Sequence, residues 1–157
     1  MERWTLRGCS VIGPGHIADR LPNQDSILMR AHNGGFISVV SDGMGSRLHS
    51  DLGSRAVCKA VYQVTKNSSF DIASENLTYD IEQRWLQLIS QIKPDDAIAT
   101  CLFAWGESGG DVRMFQLGDG LILGKKGVEK NKDSKHYGNE TIGLGCKINA
   151  SDWKVSE

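Results

Sequence analysis

Val39-Val40-Ser41-Asp42-Gly43-Met44-Gly45-Ser46, running on to Ser50-Asp51-Leu52-Gly53-Ser54-Arg55-Ala56, is the stretch that decides how this chain folds. Phe36, Ile37, Val39 and Val40 lead into an acid, glycines follow, and a helix-like run comes next. A β-rich run ending in Asp-Gly, then a loop and a helix, holds a carboxylate rigidly at a sheet edge. Gly43 lets the backbone come close to whatever Asp42 binds, because no Cβ is in the way. A carboxylate beside a backbone carbonyl suits a hard cation. Asp-Gly is equally a routine turn signal, so the dipeptide by itself also reads as a tight turn after a strand.

Working outward, 157 residues predict a single domain that buries roughly two-thirds of its unfolded surface. A formal net charge of −1 argues against a nucleic-acid or membrane-surface partner. No apolar run approaches the ~20 residues that cross a bilayer. Residues Met1 to Ser10 contain no apolar segment of the secretory type, so a cytoplasmic location is expected. Cys9, Cys58, Cys101 and Cys146 form no C-x-x-C pair and read as free thiols.

In chain order, Trp4 to Ile12 reads as a strand broken by Gly13-Pro14-Gly15, and His16 to Asp25 as a loop. Ser26 to Arg30 and Phe36 to Ser41 read as a hairpin around His32-Asn33-Gly34-Gly35. Ser50 or Asp51 is expected to cap a helix to about Thr65, with Leu52, Ala56, Val57, Ala60, Val61 and Val64 inside. Leu77, Ile81, Trp85, Leu88 and Ile92 recur at helical spacing and predict a second helix ended by Lys93-Pro94. Ala97 to Trp105, Val112 to Leu117 and Leu121 to Lys125 read as strands joined by turns. Past Gly127 the apolar density falls, Glu129 to Asn139 reads as a polar loop and Thr141 to Cys146 as a short strand, with no closing element by Glu157. Strands, two helices, then strands predict an α+β fold, a partial αββα sandwich of antiparallel sheets flanked by helices.

Asp25, Asp42 and Asp119 each sit where a strand meets a turn, and glycine adjoins the last two. Carboxylates gathered at strand ends hold Mg²⁺ or Mn²⁺ and leave further positions to water. Arg20, just upstream of Asp25, is a forked donor suited to a phosphate oxygen, or else a surface arginine.

Arg20-x-x-Asn23-x-Asp25, Ser41-Asp42-Gly43-Met44-Gly45 with Gly53-Ser54, and Gly118-Asp119-Gly120 resemble the metal-dependent type 2C serine/threonine protein phosphatases. The likeness is greatest to the bacterial branch and covers about residues 8 to 145, Asn139-Glu140-Thr141 included. The resemblance implies two divalent ions, Mn²⁺ or Mg²⁺, and a third in bacterial members. It implies that Asp42 bridges the metals, that Gly43 offers its carbonyl, and that Asp25 acts largely through metal-bound water. It implies Asp119 at the third site and Arg20 on the substrate phosphate. The substrate it implies is a phosphoserine or phosphothreonine protein. The chemistry agrees with the residue types, because a metal pair ~4 Å apart activates water and requires no nucleophilic side chain.

The sequence departs from that pattern in several places. Gln24 stands where many members have Glu, and Met44 where some have a histidine proposed as general acid. His16, His32 and His49 are the substitutes available, each also readable as an ordinary loop histidine. The later acids of the family, in a second Ser-Asp-Gly and an Asp-Asn pair, have no match at Asp133 or Asp152. The expectation is a C-terminally incomplete phosphatase with little activity and an uncovered sheet face or edge prone to association. An inactive relative that binds phosphoproteins or a partner, and an unrelated α+β binding domain, are the alternatives.

Overall fold

The computed structural model describes residues 4–124 and 142–156. Its helices are α1 (Pro14–Ala18), α2 (Ser50–Asn67) and α3 (Ser74–Leu88). Its strands are β1 (Asp25–His32), β2 (Gly35–Asp42), β3 (Cys101–Gly106), β4 (Val112–Leu117) and β5 (Lys154–Ser156). The strands pair antiparallel in the order β1-β2-β3-β4-β5, so the α+β expectation holds, but they form one sheet and the second sheet of the expected sandwich is not found among the described residues.

Side-chain alternation divides the sheet into two faces. Ile37 and Val39 of β2, Cys101 and Phe103 of β3, and Phe115 and Leu117 of β4 form one face. They meet Val57 and Val61 of α2 and Leu77, Ile81 and Trp85 of α3 in one buried core. Phe103 and Phe115 are register partners and stack with centroids 4.5 Å apart. Each fully buried aliphatic or aromatic side chain there contributes about 1.5–3 kcal/mol. The Trp85 indole N–H donates to the Gly53 carbonyl at 3.1 Å, which ties α3 to α2. Buried Arg113 donates to the Phe70 and Ile72 carbonyls and to Ser74 Oγ, holding the α2–α3 connection.

Several expectations need correction. Trp4 to Ile12 is not a strand: Trp4 packs on Phe36 at 4.6 Å and Gly8 lies over the Met29 side chain. The segment is placed by side chains on the sheet's second face, not by a ladder. Pro14 starts α1 instead of breaking the chain, since its fixed φ suits the first helical position. The N-cap of α2 is His49, with no side-chain cap, and Ser50 Oγ is buried without a partner among the described residues. Leu52 is exposed. Helix α3 stops at Leu88, although Leu88 and Ile92 still pack on the core.

The strand expected from Ala97 begins at Cys101. The Asp96 and Ile98 carbonyls accept N–H bonds from His49 and Met44 instead, so this backbone braces the loop before α2. Residues 121–124 form no strand, and Lys125 lies outside the described residues, as do the polar loop 129–139, Thr141 and Asp133. Leu144 bridges Ala99 and Cys146 in place of a continuous strand. One further strand is present: Trp153 buries against Phe103 and the three-residue β5 adds to β4 at the sheet edge. Its weak apolar pattern hid it.

Candidate functional site

The site is built at the open ends of β1 and β2. Asp25 and Asp42 are register partners across this hairpin, first residue of one strand facing the last of the other. The Gln24 carbonyl accepts the Gly43 N–H at 3.1 Å and extends the ladder beyond them. Asn23 Oδ1 accepts the Asp25 N–H at 3.1 Å, while its amide donates to Ser10 Oγ at 2.8 Å. Gly43 is required by crowding: a β-carbon there would stand 2.5 Å from the Ser50 carbonyl oxygen and 2.7 Å from that of Gln24.

Asp119 arrives from the other side, in the turn after β4. Gly118 and Gly120 take positive φ of 89° and 132°, a conformation open to glycine. Gln116 Nε2 donates to the Gly118 carbonyl at 2.9 Å and the Gly120 carbonyl at 3.2 Å, clamping the turn around Asp119. Asp42 and Asp119 both line a groove of about 440 Å³ on the sheet's second face, with Val40, Leu102, Leu121 and Leu123. Val40, Leu121 and Leu123 remain well exposed there.

The electrostatics follow from this convergence. Partial burial, then a hydrogen bond and the negative charge of Asp25, then the charge of Asp119, push the Asp42 carboxyl up to about 6. Asp42 as a whole residue is still solvent-exposed, so the neighbouring carboxylates are the part of this shift that matters chemically. They make a concentration of negative charge that a cation relieves.

The fit to a metal is partial. The Asp25–Asp42 pair and the adjacent Gly43 carbonyl are hard oxygen donors of the type that Mg²⁺ and Mn²⁺ take. Among the described residues, however, no three His, Cys, Asp or Glu groups stand together closely enough to hold one ion. Asp119 acts on Asp42 through its charge.

Arg20 occupies an unusual backbone position. The Leu21 N–H bonds the His16 carbonyl at 2.8 Å and the Arg20 N–H the Ile17 carbonyl at 3.2 Å. These bonds form the Schellman closure of α1, in which the residue after the C-cap is usually glycine. Here it is Arg20, with φ of 57°. The turn projects from the segment that runs through Asn23 into Asp25.

Sequence reasoning missed Thr100 and Gln116. Thr100 is a polar residue in an apolar run, which was the available signal. Of the histidines, His32 ends β1, about 23 Å along the strand from Asp25. His16 lies on exposed α1, whereas His49 precedes Ser50, whose carbonyl faces Gly43. Cys58 and Cys101 are buried free thiols; burial pushes Cys58 up to about 12 and raises Cys101 as well. Such thiols are core residues and not nucleophiles.

Fold and site together define an α+β protein that gathers carboxylates at the strand ends of an antiparallel sheet. A model of the protein phosphatase 2C family matches residues 12–157, and the chain belongs to that family. Membership carries a phosphatase kind of function within a generally metal-dependent family. No curated protein and no solved structure matches the chain. No helix among the described residues is long and apolar enough to cross a membrane.

Proposed function

We propose that this protein is a metal-dependent protein serine/threonine phosphatase that holds its cations weakly. The observation that carries this reading is the juxtaposition of Asp25 and Asp42 across the β1–β2 ladder, with Asp119 at the edge of the same groove. Mn²⁺ or Mg²⁺, when bound, supplies water acidic enough to attack a phosphoryl group. Asp42, Asp25 and the Gly43 carbonyl are the residues that would hold the cation, with Asp119 adding charge nearby. Arg20 binds the phosphate oxygens of a phosphoserine or phosphothreonine protein through its forked guanidinium. Affinity for divalent cations rises with the number of charged oxygen ligands, so a carboxylate pair binds weakly.

The test is hydrolysis of a phosphoserine peptide and of a small aryl phosphate with and without Mn²⁺. Slow, Mn²⁺-dependent turnover that Asp42→Asn abolishes is the expected result. Turnover that survives Asp42→Asn overturns the assignment.

The lack of a three-ligand cluster among the described residues favours a second reading, a catalytically inactive phosphatase-like domain that binds phosphoproteins. That reading requires phosphopeptide binding, lost in Arg20→Ala, with no turnover at any Mn²⁺ concentration.

A further inference from the structure

Thr100 lies outside β3 and carries none of the charge at the site, yet its polar groups all serve the Asp42 strand end. Its Oγ1 accepts the Asp42 N–H at 2.9 Å, and its own N–H donates to the Asp42 carbonyl at 2.8 Å. Its carbonyl accepts the buried Ser41 hydroxyl at 2.6 Å. The residue is almost wholly buried, at 3 % exposure. On its other side it meets the turn that carries Asp119: a β-carbon on Gly118 would stand 2.9 Å from Thr100 Cγ2 and 3.2 Å from its Cβ. One side chain therefore touches the backbone of the Asp42 strand end with its oxygen and packs beside the Gly118-Asp119-Gly120 turn with its methyl.

We propose that Thr100 is the positioning residue of the carboxylate cluster, fixing Asp42 through Oγ1 and seating the Asp119 turn through Cγ2. The proposal rests on the metal-site reading above and adds to it a residue that touches neither cation nor substrate. Valine keeps the shape of threonine and removes the acceptor; serine keeps the acceptor and removes the methyl. Groups that orient metal ligands typically change affinity 10–100-fold when removed.

The experiment is calorimetric Mn²⁺ titration of parent, Thr100→Val and Thr100→Ser, with amide hydrogen exchange at Asp42 followed in the metal-free proteins. Expected are Mn²⁺ binding weakened about tenfold in Thr100→Val, a smaller loss of about threefold in Thr100→Ser from the missing methyl, and faster Asp42 exchange in Thr100→Val only. Equal Mn²⁺ affinity in all three folded proteins overturns the proposal, even if the valine variant melts lower, since it leaves Thr100 a purely structural role. Should Thr100→Val not fold, a Thr100→Ser protein that binds Mn²⁺ tenfold more weakly than parent, with unchanged Asp42 exchange, overturns the Oγ1 role. A parent that binds no Mn²⁺ sinks the metal reading instead, and the exchange at Asp42 then decides the role of Thr100: acceleration in the valine variant sustains it, and no change ends it.

Discussion

Asp25 stands directly opposite Asp42 across the β1–β2 ladder, and its presence there, with burial and the charge of Asp119, pushes the Asp42 carboxyl up. The negative charges of Asp25 and Asp119 disfavour the ionised form of Asp42, a repulsion that a proton or a cation on Asp42 relieves. That relationship generates the first two expectations.

Asp42→Ala removes Mn²⁺ binding in a calorimetric titration. Asp25 alone leaves one carboxylate facing water, which is too little charge to hold a divalent ion at micromolar concentration. Undiminished binding in the variant makes Asp42 an ordinary turn residue.

Stability depends on pH through the same group. In the fold Asp42 titrates at about 6, above its ordinary 3.8. The native protein thus holds a proton that the unfolded chain has already lost. Stability from this group is therefore full below about 3.8 and declines as pH rises to about 6, flattening above. Solvent screening leaves on the order of 1 kcal/mol of the effect. Thermal midpoints measured from pH 4 to 7 should fall less in Asp42→Asn than in the parent, and parallel curves contradict the pairing.

Gly43→Ala destabilises the fold. The new methyl collides with the Ser50 and Gln24 carbonyl oxygens at 2.5 and 2.7 Å, both backbone atoms. Overpacking of this kind costs about 1–3 kcal/mol, a midpoint drop of roughly 2–4 °C per kcal/mol in a chain of this size. A denaturant melt equal to the parent's shows that the loop before α2 yields freely.

Arg20→Gly separates stability from function. A non-glycine residue in the left-handed region costs roughly 1–2 kcal/mol, so glycine should raise the unfolding midpoint slightly while it abolishes phosphopeptide binding. Arg20→Ala keeps the strain and loses the guanidinium, so it should lose binding without the gain. If Arg20→Gly binds phosphopeptide like the parent, the arginine is a surface residue held by chance in that turn.

The sequence by itself determined the α+β class, the β1–β2 hairpin, the cores of α2 and α3, and the three acids. Those features are local: alternation puts Ile37 and Val39 on one face, helical spacing aligns Leu77, Ile81 and Trp85, and Asp-Gly marks strand ends. Only the tertiary structure decided that Asp25 faces Asp42 in register and that Asp119 shares their groove. It alone placed Thr100 between Asp42 and Gly118, put Arg20 in a glycine's position, turned Trp4 to Ile12 into a side-chain-anchored segment and recruited Lys154–Ser156 as a strand. The physical reason is range. Pattern along a chain records which side of a helix or strand is buried, whereas convergence of distant carboxylates depends on ladder register and packing between elements far apart in sequence.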